Sequence, residues 1–228
     1  MVEFKNATKM YEGGVLALDN VSFTVAPGEF VFIVGASGSG KTTLVKLLLR
    51  EEKLTSGEIV INDYHLEKIK KKDIPYLRRS MGIVFQDFRL LKDRTVYENV
   101  AFVKHITGST VRQIKRLVPM ALDLVGLEDK KNFYPDQLSG GEQQRIALAR
   151  AIVNNPSIII ADEPTGNLDP EISYEIMQLL QDINNKGITV MVVTHDKRMV
   201  DRMEKRVIEI RDGRVIRDEE KGKYGTGV

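Results

Sequence analysis

Three short stretches of this 228-residue chain combine the residue types that phosphate chemistry needs. The first, Gly35-Ala36-Ser37-Gly38-Ser39-Gly40-Lys41-Thr42, fits G-x-x-x-x-G-K-[ST] and lies between an apolar run, Phe30 to Val34, and a segment with leucines at helical spacing. Glycines let backbone amides turn inward as an anion nest at a helix N-terminus, Lys41 adds a mobile cation for terminal phosphates, and the Thr42 hydroxyl can ligate magnesium. The expected ligand is a nucleoside triphosphate, contacted by Gly35, Ser37, Gly38, Ser39, Gly40, Lys41, Thr42 and Thr43. The rival reading, a glycine-rich turn matching by accident, is opposed by the strand-loop-helix placement.

The second stretch, Ser157 to Glu163, is an apolar strand ending in two acids. Its carboxylates therefore fall at the carboxyl end of a sheet, where open α/β folds bind ligands. Asp162 is the expected magnesium ligand and Glu163 the group that orients or deprotonates an attacking water. The third, Leu138-Ser139-Gly140-Gly141-Glu142-Gln143-Gln144, comes just before a helical pattern reaching Asn154. Ser139 and the amides of Gly140 and Gly141 then form a second anion-binding helix end.

Elements of alternating type must hold these residues. Val2 to Thr8, Val21 to Val25 and Phe30 to Val34 read as strands, with Pro27-Gly28 as a turn. A helix follows from Lys41 to Arg50, then strands at Glu58 to Ile61 and Gly82 to Phe85. Residues 95–126 read as two helices split at Gly108-Ser109. Beyond the third stretch come a strand at Ile158 to Ala161, a helix after Pro170, a strand at Thr189 to Val193 and two short final strands. The pattern implies an α/β fold, a mostly parallel sheet with helices on both faces and a helical insertion.

The composition is that of an ordinary folded domain, 42% hydrophobic and 29% charged, and the net charge of +2 gives no whole-chain argument for nucleic acid. Without cysteine, disulfides, thiolate zinc sites and a cysteine nucleophile are excluded. The opening MVEFKNATKM lacks the features of a secretory signal, and no apolar run approaches the roughly 20 residues of a spanning helix. The chain is expected to stay inside the cell and to have no membrane span. Lys70, Lys71 and Lys72 read as a solvated face, and His65 and His105 have no setting that suggests a role.

LSGGEQQRIALARA resembles the signature of ABC ATPases throughout, and the other family elements follow in order. The resemblance implies a P-loop nucleoside-triphosphatase core at 1–86 and 156–218 with an N-terminal antiparallel β subdomain. It also implies an α-helical insertion at 87–155 carrying the signature; the polar, glycine-rich tail at 219–228 is expected to fray. The cofactors implied are ATP and Mg2+. Tyr11 lies where the family's adenine-stacking aromatic sits, with a packing tyrosine as the rival reading. Gln86 resembles the glutamine that contacts magnesium and water while linking to the insertion, and His195, in Thr194-His195-Asp196, the histidine that contacts the γ-phosphate. Asn167-Leu168-Asp169 resembles a loop that acts across subunits, though the commoner form begins with serine and alanine. Asp169 is carried over on that basis.

In this family the signature docks on the γ-phosphate held by the opposite subunit, so a two-fold homodimer is expected to trap two ATP molecules. No arginine of the chain is evidently placed as a finger, which agrees with help from a second subunit. Asp162 to Pro170 is similar to the bacterial transporter subgroup that includes lipoprotein-release and macrolide-export ATPases, and Phe88 to Val100 is similar to the cell-division ATPases among its relatives. Its members serve an integral membrane partner. Phe88, Leu90, Leu91, Val96 and Tyr97, interleaved with Arg89, Lys92, Asp93 and Arg94, are the candidate anchors for a partner helix, with about half of the apolar ones expected to pack the insertion's own core instead. ABC ATPases that act on DNA or ribosomes usually have tandem halves, coiled-coil insertions or zinc cysteines, none of which this sequence has.

Overall fold

A computed structural model describes residues 1–224. In order these form Val2–Met10 (β1), Leu16–Val25 (β2), Phe30–Val34 (β3), Lys41–Leu48 (α1), Ser56–Ile61 (β4), Tyr64–His65 (β5), Ile74–Arg79 (α2), Met81–Phe85 (β6), Val96–Ile106 (α3), Val111–Leu124 (α4), Gly140–Ile152 (α5), Ile158–Asp162 (β7), Pro170–Asn185 (α6), Thr189–Thr194 (β8), Lys197–Met203 (α7), Arg206–Arg211 (β9) and Arg214–Glu219 (β10).

The apolar-polar alternation of the first strands produces a sheet buried on one face. β1 and β2 pair antiparallel, Phe4 opposite Phe23, with their rings stacked 4.5 Å apart. β4 and β5 complete a four-stranded sheet in the order β2-β1-β4-β5.

The second sheet has six strands in the order β10-β9-β3-β8-β7-β6, parallel from β9 to β6, with β10 antiparallel at the edge. Its central strands are continuous apolar runs because both faces are covered. Phe30, Phe32, Val34, Ile159, Ala161, Val190 and Val192 enter one core with α3, α4, α5 and α6. The intervening Val31, Ile33, Ile158, Ile160, Met191 and Val193 enter the other, with α1 and the antiparallel sheet. A rigid two-sided sheet therefore fixes where each strand ends.

The expected break at Gly108-Ser109 falls between α3 and α4, and each of these helices opens with a capping box, Thr95 with Glu98 and Thr110 with Gln113. Asn99, fully buried on α3, ties the preceding loop: its amide donates to the carbonyls of Leu91, Arg94 and Thr95 and accepts from the Leu91 N–H at 2.9 Å. Asn99→Leu is expected to destabilise the chain by about 2–4 kcal/mol, because it strands several polar groups in the interior. Urea unfolding would measure the change.

Three elements lie outside the sequence reading. α2 buries only Leu77 and so has no periodic apolar face, and β5 is only two residues long. α7 is signalled only by its cap, Asp196, which accepts from the N–H groups of Arg198 and Met199. The tail expected to fray from Glu219 is instead tied down as far as Tyr224. Gly222 N–H donates to Lys205 O at 3.2 Å and Tyr224 N–H to Asp201 Oδ1 at 2.6 Å. Residues 225–228 lie outside those described. Among the described residues, no helix is long and apolar enough to cross a membrane.

Candidate active site

The carboxyl ends of β3, β6, β7 and β8 deliver their loops to one edge of the parallel sheet, the usual place for a ligand crevice in such folds. After β3 the chain must pass between β9 and β2. A Cβ on Gly35 would lie 2.2 Å from Ile210 O, and one on Gly40 2.4 Å from Ala17 O, with Gly40 at φ 110°, so only glycine fits at either position. α1 then begins at Lys41, which is buried, its ammonium donating to Gly35 O at 2.7 Å and Ala36 O at 2.9 Å. Burial pulls the Lys41 pKa below its ordinary value, opposed by the charges of Glu163 and Asp162. The Ser39 hydroxyl, within the loop, is buried with no hydrogen-bond partner among the described residues.

At the end of β7, burial raises the Asp162 pKa, the neighbouring Glu163 charge adds to the rise, and Lys41 and Arg89 counter it. The Asp162 carboxylate makes no hydrogen bond or ion pair with any described residue. Glu163 leaves the strand with φ 50°, a left-handed conformation costing about 1–2 kcal/mol for a residue with a Cβ, and its N–H donates to Val193 O at 2.8 Å. That turn carries its side chain across to the end of β8. There His195 Nδ1 lies 2.6 Å from Oε1, and the Thr194 hydroxyl donates to Oε2 at 3.2 Å. His195 is two-thirds exposed at the side chain, at 65%.

Gln86, after β6, is exposed and bonded to Asn167: its Nε2 donates to Asn167 Oδ1 at 3.4 Å, and Asn167 Nδ2 donates to Gln86 O at 3.2 Å. Gly166 fits closely beneath it, since a Cβ there would sit 2.7 Å from Gln86 Nε2. The far wall is apolar. Tyr11, Val15, Leu16 and Ala17 line it, the Tyr11 hydroxyl pairs with Thr43 Oγ1 at 3.3 Å, and Lys9 Nζ lies 4.7 Å from the Tyr11 ring centre. The whole cleft, about 840 Å³, brings together Tyr11, Ser37, Gly38, Gly40, Lys41, Thr42, Thr43, Gln86, Asp162, Glu163 and His195.

Ser139, Gly140, Gly141 and Asp169 line no part of that cleft. Ser139 caps α5, its hydroxyl 3.3 Å from the Glu142 N–H, and Asp169 caps α6 through the N–H groups of Glu171 and Ile172. Lys130 holds Glu142 in an ion pair and depresses its pKa. The two helix ends touch each other. A Cβ on Gly140 would meet Leu168 at 3.2 Å and one on Gly141 would meet Ile172 at 2.4 Å, so the double glycine is what lets α5 lie against α6. One chain thus presents a cation-bearing cleft and, apart from it, an exposed helix end suited to an anion.

Val15, Leu16, Ala17, Thr194 and Tyr224 belong to the site although no role was assigned to them from the motifs, and Asn167, quoted only as the start of the loop carrying Asp169, belongs to it through Gln86. Thr194 stands inside Thr194-His195-Asp196, where its neighbour drew the attention. For Tyr224 the polar, glycine-rich tail gave no signal. Burial, then the charges of Glu209 and Glu163, raise the Tyr224 pKa.

A glycine loop from a central parallel strand, with acids at the end of a nearby strand, defines a P-loop nucleoside triphosphatase. The chain belongs to the ABC transporter family, whose model matches residues 18–166, and is an ATPase of that family. It is 54% identical over 226 residues to the cell division ATP-binding protein FtsE of Bacillus subtilis (strain 168), covering 99% of each chain. To the protein of the same name in Escherichia coli (strain K12) it is 46% identical over 213 residues, 93% of this chain and 96% of the other. A dimeric bacterial ABC transporter cassette superposes with a TM-score of 0.87 at 39% identity, over 98% of this chain and all of the other. A dimeric ATP-binding cassette in a post-hydrolysis state with ADP and Pi gives a TM-score of 0.85 at the same identity and coverage.

Proposed function

We propose that the chain is the ATP-hydrolysing subunit of an FtsEX-like membrane complex, in which ATP-driven pairing of two copies moves an integral membrane partner similar to FtsX. The observation that carries this reading is the division of one chain's phosphate-binding groups between a cleft and a separate helix end. Facing two copies about a two-fold axis brings the Ser139 to Gly141 segment of each to the Lys41 cleft of the other, and the contact closes on itself. The kinship with cell-division FtsE proteins supports a place at the cytoplasmic face of the membrane, at the division site, in control of cell-wall hydrolysis.

In the paired state Tyr11, backed by Lys9, stacks on adenine while the loop from Gly35 to Thr43 holds the phosphates. The donors near Lys41 suit a hard cation: Thr42 and Gln86 offer neutral oxygens, and Asp162 is a part-buried carboxylate without a hydrogen-bond or ion-pair partner among the described residues. Bound there, Mg2+ would neutralise charge on the terminal phosphates. Lys41 holds the γ-phosphate, and Glu163 takes a proton from water as its oxygen attacks phosphorus. The β–γ bridging P–O bond breaks, with its electron pair leaving on ADP. His195 and the partner's helix end steady the equatorial oxygens.

Gln86 connects this chemistry to a groove of about 420 Å³ between the core and the helical layer. Pro75, Arg78, Phe85, Phe88, Val103 and Ile106 are among its lining residues. Of the five candidate anchors only Phe88 lines it: Val96 is fully buried, Leu90 and Tyr97 pack on the helical core, and Leu91 is half-buried outside the groove. Arg89 lies over the Phe85 ring at 3.6 Å and its charge reaches Asp162, so it is a poor probe of docking. Ile106, 59% exposed on the rim, is the better one. Ile106→Glu is expected to weaken co-purification with the solubilised membrane partner about tenfold or more, the scale for one buried anchor, with basal ATPase activity unchanged. Undiminished co-purification would place the docking surface elsewhere.

A further inference from the structure

We infer that Thr194 is a positioning residue for the reaction, holding one oxygen of Glu163 in place while His195 lets go of the other. The inference rests on the reading of Glu163 as the group that takes the water's proton. Thr194 is the last residue of β8, 2% exposed, and pairs in register with Val34, the last residue before the phosphate loop. Its backbone is thus fixed to the strand that carries the loop. A hydroxyl has one proton to give. The Asp196 N–H donates to Thr194 Oγ1 at 3.0 Å, occupying a lone pair, so the hydroxyl proton is left to donate to Glu163 Oε2 at 3.2 Å.

Glu163 has no comparable freedom. Its backbone is turned to φ 50° and bonded to Val193, and its side chain is 17% exposed. The carboxylate is held by three donors that differ in mobility. Oε2 receives the Thr194 hydroxyl and, more weakly, the His195 N–H at 3.4 Å, both parts of β8 or its immediate end. Oε1 meets only the His195 ring at 2.6 Å, and that ring is mostly in solvent. Among the described residues no other hydrogen bond or ion pair reaches the carboxylate. When His195 turns to the γ-phosphate, Oε1 is freed and Oε2 stays anchored. Oε1 is therefore the oxygen presented to water, and Thr194 sets its direction.

Thr194→Val keeps the shape and the strand preference but removes the donor. Steady-state ATPase assays on this variant are expected to give a kcat about 10- to 100-fold below that of the unaltered chain, the range for losing one hydrogen bond to a charged group. KM for ATP should stay within about twofold, since no phosphate contact changes. Thr194→Ser, which restores the hydroxyl, should recover kcat to within about threefold of the starting value. With turnover slowed and binding intact, the Val variant should also accumulate an ATP-stabilised dimer on gel filtration. A disturbed α7, the other consequence of losing the Asp196 contact, would not produce that dimer. Unchanged kcat in the Val variant, a Ser variant as slow as Val, or loss of ATP binding together with kcat would each overturn the inference. Glu163→Gln assayed alongside separates the two readings. If it stops turnover while Thr194→Val does not, only the positioning role falls; if it turns over normally, the role of Glu163 falls and takes this one with it.

Discussion

Glu163→Gln is expected to bind ATP as tightly as the unaltered chain and to lower kcat by about 10²–10⁴, the contribution of a well-placed general base. The substitution keeps the shape of the side chain and one oxygen, which can still accept from the Thr194 hydroxyl and the His195 backbone N–H, while the amide nitrogen takes the place of the oxygen that meets the His195 ring. None of the glycine-loop contacts involves Glu163. The Lys41 ammonium is bound to Gly35 O and Ala36 O, and Glu163 acts on it only through its charge. Removing that charge leaves Lys41 beside one acid instead of two, which if anything favours an incoming anion. Two copies should therefore close on ATP and stay closed, visible as a dimer on gel filtration with ATP and a monomer without it. Hydrolysis at the normal rate would show that another group handles the water.

Those parts of the site that are continuous in sequence and set by backbone geometry are legible in the sequence itself. Gly35 to Thr42 declares itself because the loop needs glycine at positions where Ile210 O and Ala17 O leave no room for a side chain. Asp162 and Glu163 follow from a strand buried on both faces, which must end where the carboxylates begin. What was not legible depends on contacts between segments far apart in the chain. The Gln86 to Asn167 pairing spans 81 residues and is set by how β6 lies beside β7. Which of the docking candidates would pack the core could not be read for a similar reason. Phe88, Leu90 and Tyr97 look alike as apolar residues after Gln86, and only the packing of α3 on α5 decides which of them turn inward. Besides β6 and α5, the groove draws residues from α2 and α3, elements that local pattern either missed or could not orient.

The division of the site predicts a second result that no single chain can give. Lys41→Ala removes the buried ammonium of the cleft and is expected to abolish measurable ATP binding in its own loop. Ser139→Arg leaves that loop intact but replaces the exposed cap of α5 with a long side chain, spoiling the helix end without touching the cleft. Either variant alone forms only defective composite sites and should be inactive. In a mixed dimer, the Lys41 cleft of the Ser139→Arg chain faces the intact Ser139 of the Lys41→Ala chain, and one complete site returns. Random pairing of equal amounts makes half the dimers mixed, each with one of two sites, so recovery of about a quarter of full activity is expected if sites act independently. The Gly140 and Gly141 contacts with Leu168 and Ile172 also place Asp169 beside that helix end, so both would approach the opposite cleft together. The same geometry requires specific activity to fall on dilution, as the dimer dissociates. Activity strictly proportional to protein concentration through that range, with no recovery on mixing, would mean that one chain hydrolyses ATP alone and that the helix end at Ser139 plays no part in it.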